Sequence, residues 1–149
     1  MKNVILGRVG VIVLVLAGAA SSQLALAGTW ATFDAPGAEE TAIMGIDGSN
    51  IVGYYIDGSG QHGFLYDGLS WTILPGVPLG VDDTKIVGGH GGGAFIYDIT
   101  DSTWETFNAQ GADPYTTAEG IDGSNIVGQY DLNGFMVGGV HSFIYDGST

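Results

Sequence analysis

Gly45-Ile46-Asp47-Gly48-Ser49-Asn50-Ile51-Val52-Gly53 returns without a change at Gly120–Gly128, and a weaker copy, Gly80-Val81-Asp82-Asp83-Thr84-Lys85-Ile86-Val87-Gly88, stands between them. Repetition at this spacing means several copies of one small unit, each too small to bury its apolar residues alone. Within the string, Asp-Gly-Ser-Asn separates two short apolar runs. That is the pattern of a tight hairpin, with Gly and Asn available for positive φ.

Working outward, two further markers recur in a fixed order. A Trp-led segment precedes each copy: Trp30-Ala31-Thr32-Phe33, Trp71-Thr72-Ile73-Leu74 and Trp104-Glu105-Thr106-Phe107. An aromatic segment follows each: His62-Gly63-Phe64-Leu65-Tyr66-Asp67, Gly93-Ala94-Phe95-Ile96-Tyr97-Asp98 and His141-Ser142-Phe143-Ile144-Tyr145-Asp146. With the apolar stretch ahead of Ile-Val-Gly, such as Thr41–Ile46, each unit reads as four short strands. No sustained helical period competes, and 27 glycines among 149 residues work against one. The expected organisation is therefore all-β: a single domain over 28–149, in three tandem four-stranded units at about 28–70, 71–103 and 104–149.

Side-chain alternation selects among all-β architectures. In Phe64-Leu65-Tyr66 and in Ile51-Val52 apolar groups point to both faces, as in a sheet covered on both sides. Small sheets stacked face to face, like the blades of an open or partial β-propeller, satisfy this. A β-trefoil-like threefold fold is the alternative. Three blades fall short of the roughly four to eight that close a propeller, which predicts self-association or further repeat units. The chain stops at Asp146-Gly147-Ser148-Thr149, where another Trp strand is due, which points the same way.

The run Gly-Ile-Asp-x-x-x-Ile-Val-Gly, then His-x-Phe-Leu/Ile-Tyr-Asp-Gly, then Trp-x-x-Leu/Phe, with Pro36-Gly37-Ala38 after the first Trp segment, resembles the bacterial extracellular HAF-repeat family. The middle unit departs from the pattern: Gly93 replaces the His of His62 and His141, and the Pro-Gly-Ala turn is lost. The resemblance implies an exported, propeller-like repeat protein with no established activity. It carries no catalytic residues over.

Charge and composition bound the rest. Lys2 and Arg8, an apolar run over Val9–Ala20, and Ala25-Leu26-Ala27 read as a signal peptide spanning 1–27, cleaved before Gly28. Its loss leaves Lys85 as the one Lys or Arg against 16 acidic residues. So acidic a surface repels nucleic acid and anionic lipid, so neither nucleic acid nor membrane is an expected partner after cleavage. There is no cysteine, so disulfides cannot supplement a small core.

Candidate chemistry is sparse. His62 and His141 hold equivalent repeat positions, which points to a framework role such as hydrogen bonding to a turn, and His90 lacks ligand spacing around it. Asp beside Gly is the ordinary turn pair. Calcium at Asp131-Leu132-Asn133-Gly134 is the alternative, although the further oxygen ligands of an EF-hand are missing. Gly89 to Gly93, broken by His90, reads as a hairpin tip, since no helix follows to build a phosphate cradle. Trp30, Trp71 and Trp104 read as blade-to-blade packing, while Tyr54, Tyr55, Tyr115 and Tyr130 are the candidate sugar contacts. No catalytic, cofactor or metal residue is assigned. The expected function is a secreted, non-enzymatic β-repeat module for cell-surface structure or protein binding. A glycan-binding module is the alternative, and a polysaccharide-active enzyme comes third.

Overall fold

A computed structural model describes residues 28–111, 115–132 and 139–147, so the expected leader at 1–27 lies outside the described residues. The chain is all-β. Among the described residues eleven strands form three antiparallel sheets, and the residues from Thr32 onward make one compact unit. Sheet 1 holds β1 (Glu40–Asp47), β2 (Asn50–Asp57), β3 (Gly60–Tyr66) and β4 (Trp71–Leu74) in that spatial order. Sheet 2 holds β5 (Val77–Asp82), β6 (Lys85–His90), β7 (Gly93–Asp98) and β8 (Thr103–Phe107). Sheet 3 holds β9 (Thr116–Asp122), β10 (Asn125–Asp131) and β11 (Val140–Tyr145), with β10 in the middle. Among the described residues no helix forms and no sheet closes into a barrel, the element a trefoil needs.

The nine-residue repeat is the β1–β2 hairpin and its two counterparts. Gly48 and Gly123 take φ of 56° and 57° in two-residue turns. In the middle copy Asp83 adopts the same left-handed conformation, φ 50°, at a side-chain cost that Asp tolerates better than most residues. Asn50 and Asn125 already begin the next strand and do not take positive φ. Each first strand carries one extra residue, Met44, Leu79 or Glu119, as a β-bulge. The bulge turns the carbonyl of Ala42, Val77 or Thr117 onto the glycine of Ile-Val-Gly. A Cβ at Gly53, Gly88 or Gly128 would overlap that oxygen.

Alternation then sorts the strands' apolar groups by face. Val52, Leu65 and Leu74 of sheet 1 meet Ile86 and Phe95 of sheet 2, with Val81 and Tyr97 alongside. Val87 and Ala94 of sheet 2 meet Ala118 and Ile126 of sheet 3, with Ile96, Phe107, Phe143 and Tyr145 at the margin. Each sheet therefore has a front, bearing the Ile of Ile-Val-Gly and the Phe of the aromatic strand. Its back bears the Val of Ile-Val-Gly and the residue after that Phe. Backs meet fronts at both junctions. Val52, Phe95, Ile86 and Val87 are fully buried there.

Three expectations need correction. The Trp strand does not open a unit; β4 pairs with β3 and β8 with β7, so each Trp segment closes the sheet before it. The sheets accordingly run over 40–74, 77–107 and 116–145, one strand out of phase with the sequence units. Trp30–Phe33 is not a strand and belongs to none of the three sheets. Sheet 3 has three strands rather than four among the described residues, since β11 pairs with β10 alone.

Candidate functional site

The two equivalent histidines serve their own hairpins. His62 Nε2 lies 3.1 Å from Asp57 Oδ1 and 2.9 Å from Ser59 Oγ, across the turn joining β2 and β3. Its ring lies over Tyr55 at 5.0 Å, and His141 lies over Tyr130 at 5.4 Å in the same way. His90 occupies the register of Tyr55 and meets Trp104 edge-on at 5.0 Å. The histidines are thus parts of a repeated aromatic pair rather than a convergent cluster. Among the described residues no group of three His, Asp or Glu could hold a metal ion.

The aspartates beside glycine are mostly turn-formers. Asp57 Oδ1 accepts from the Ser59 hydroxyl at 2.7 Å and the Ser59 amide at 2.8 Å. Those bonds, with His62 adding a smaller share, hold its carboxyl down at about 2. Asp67 accepts from the amides of Ser70 and Leu69, and Asp98 from the amide of Thr100 and from Lys85 Nζ at 3.2 Å. Both are lowered for those reasons, in that order. Of the stretch considered for calcium, Asp131 is buried at the end of β10, and Asn133 and Gly134 lie outside the described residues. Gly91 and Gly92, both at positive φ, form the two-residue turn between β6 and β7, a hairpin tip as expected.

A second set of aspartates does something the sequence did not announce. Asp47, at the end of β1, accepts through Oδ2 from the Asp83 amide of sheet 2 at 2.8 Å. Asp82, at the end of β5, accepts in the same way from the Gly123 amide of sheet 3. The Asp of the first and of the middle copy thus clasps the turn of the next sheet, both in the same direction. The identical copies carried this signal only as an invariant residue with no stated role.

The tryptophans sit differently from expectation. Trp71 contacts Phe64 at 4.9 Å and Tyr66 at 5.0 Å, and Trp104 contacts Phe95 at 6.1 Å, all within their own sheets. The residue three positions on enters the junction instead: Leu74 joins the first core, and Phe107 meets Phe143 at 6.0 Å and Tyr145 at 5.4 Å. Of the tyrosines proposed for sugar contact, Tyr55 and Tyr130 are engaged by histidines, Tyr54 is half-buried, and Tyr115 is exposed at the start of sheet 3.

Two grooves border sheet 3. One, of about 360 Å³, runs past Lys85, Asp98, Trp104, Glu105 and Tyr145 between sheets 2 and 3. The other, of about 610 Å³, follows Ser142–Tyr145 of β11 and is walled by Phe107 and Tyr130. No family model matches the chain, and no curated protein or solved structure does either.

What remains distinctive is the pair of outer faces. Leu65 is 4 % exposed on the back of sheet 1, yet its counterpart Ile144 on the back of sheet 3 is 79 % exposed, with Val127 beside it at 45 %. On the front of sheet 1, Ile46 and Ile73 are each about two-thirds exposed. Phe64 on that front is covered by Phe33, whose ring lies 5.3 Å from Tyr66 and 5.2 Å from Trp71.

Proposed function

We propose that this chain is an exported, non-enzymatic β-repeat module that works by binding protein partners or building cell-surface structure, with its three sheets stacked as blades of an open propeller. The observation that carries the reading is the back of sheet 3. Val127 and Ile144 lie in the open there, although Val52, Leu65 and Val87 at the same repeat positions are buried at the internal junctions and Ile96 is half-buried. Uncovered apolar area in a repeat stack is where a partner binds. The exposed groups on that face are aliphatic, whereas sugar rings stack on aromatic ones, so the face suits a protein better than a glycan. The resemblance of the three repeat markers to HAF repeats, and the leader-like first 27 residues, support the placement outside the cell.

Fractionation of producing cells tests it. The protein is expected in the medium or envelope fraction, beginning at Gly28, and stripped protein should rebind its envelope saturably. Recovery from the cytosol alone, with the leader retained, would overturn the reading.

A further inference from the structure

Each internal junction of this molecule uses three devices, and the two outer faces carry the halves of a third, unmade junction. The first device is apolar: the Val and Leu/Ile of one back receive the Ile and Phe of the next front. The second is the clasp from Asp47 to the Asp83 amide, repeated from Asp82 to the Gly123 amide. The third is the last residue of Trp-x-x-Leu/Phe, which reaches from the fourth strand of one sheet to the aromatic ring on the front of the next. Leu74 does this to Phe95 and Phe107 does it to Phe143.

Phe33 ends a Trp-x-x-Phe segment and lies over Phe64 on the front of sheet 1. It therefore sits where the fourth strand of a preceding sheet would place it, although Trp30–Phe33 pairs with no described strand. Among the described residues, meanwhile, sheet 3 presents β11 with one side unpaired, an exposed back, and Asp122 with no clasp to make. The groove along Ser142–Tyr145 lies at that same edge.

We propose that a second copy of this chain supplies Trp30–Phe33 as the fourth strand of sheet 3, joining the copies head to tail. The partner it names is for the binding module read above, and to that extent it rests on that reading. The register follows from sheets 1 and 2, where Trp71 lies opposite Tyr66 and Trp104 opposite Tyr97. Trp30 of the second copy then lies opposite Tyr145, Ala31 opposite Ile144, and Thr32 opposite Phe143. The Trp30 indole enters the groove against Phe107 and Phe143, as Trp71 lies against Phe33 and Phe64. Strand addition supplies main-chain hydrogen bonds, and the side-chain pockets fix the partner. Ile144 and Val127 receive Ile46 and Ile51 of the second copy, and Asp122 clasps its Gly48 amide. The joint is heterologous, so it closes into a ring or extends as a filament. Two copies in a ring would stack six sheets, within the roughly four to eight of closed propellers.

Light scattering on the purified protein, expressed from its full sequence, tests this across a dilution series with three variants. Wild type is expected to assemble, dissociating on dilution. Ile46→Lys spoils the front and Ile144→Lys spoils the back; each alone should be monomeric, with unchanged circular dichroism because both side chains are already exposed. Mixed in equal amounts they keep one sound front and one sound back, and should form a one-to-one pair and nothing larger. Trp30→Ala should weaken assembly at least tenfold. A monomeric wild type, either lysine variant assembling alone, or a mixture that stays monomeric overturns the proposal. A monomer that still rebinds its envelope would remove the homotypic partner and leave the functional reading; assembly of a protein confined to the cytosol would do the reverse.

Discussion

Gly53, Gly88 and Gly128 have lost a side chain to a carbonyl. The bulge at Met44, Leu79 or Glu119 turns a peptide oxygen into the space that a Cβ would need, so the last letter of Ile-Val-Gly is fixed by the neighbouring strand rather than by its own φ. Gly128→Ala should therefore cost roughly 1–3 kcal/mol, as overpacking of a closed contact does. Gly58, in a turn with open space around it and no positive φ, is the control. Gly58→Ala should leave stability unchanged or raise it by up to about 1 kcal/mol, through loss of unfolded-state freedom. Urea melts of the two variants check both figures.

Asp57 offers a residue-scale test by pH. Its carboxyl titrates at about 2 in the folded chain against an ordinary value of 3.8, so it contributes stability that is full above the unfolded value. That contribution is lost as pH falls through the folded value. The stability gap between wild type and Asp57→Asn should hence be constant above about pH 5, shrink below 3.8 and vanish near 2. Thermal melts at stepped pH measure it, and a gap that widens on acidification would contradict the assigned hydrogen bonds.

At the scale of the element, β4 shows how one four-residue strand serves two neighbours. Trp71 and Ile73 face the front of sheet 1, while Leu74 turns to the back and joins the core with Phe95. Leu74→Ala should cost about 2–4 kcal/mol by leaving a cavity. Ile73→Ala, on an exposed position of the same strand, should cost within about 0.5 kcal/mol. Denaturant unfolding distinguishes them.

Strand content, the hairpins at 47–50 and 122–125, and apolar groups on both faces were all legible from spacing. Which strand joins which sheet was not. A Trp segment lying between two aromatic runs can close the sheet behind it or open the sheet ahead, and its composition suits either. Only the pairing of Trp71 with Tyr66 decides. The Asp47 and Asp82 clasps were hidden for a related reason: an Asp before a turn glycine is accounted for by the turn itself, so nothing local calls for a second partner. The histidines were readable because their periodicity alone argued for framework over chemistry.

For the whole molecule, charge is the dominant long-range term. Lys85 is the one Lys or Arg among the described residues, and it is already engaged with Asp98. The remaining acidic groups repel one another across a small body, a repulsion that salt screens over about 10 Å at 0.1 M. Melting temperature should accordingly rise with sodium chloride. A relief of roughly 1 kcal/mol would move it by about 4 °C at this size, readable by calorimetry. A fall with added salt would mean that ion pairs outweigh the self-repulsion.

The one-way clasp between successive turns has a bearing on how such a chain grows. Sheets 2 and 3 greet their predecessors with the same surface, and sheets 1 and 2 their successors with the same other surface, so a tandem duplication of the stretch 77–107 would insert a layer that meets ready-made neighbours on either side. Copy number can then drift over generations without any junction being redesigned, much as links are added to a chain with a single pattern of hook and eye.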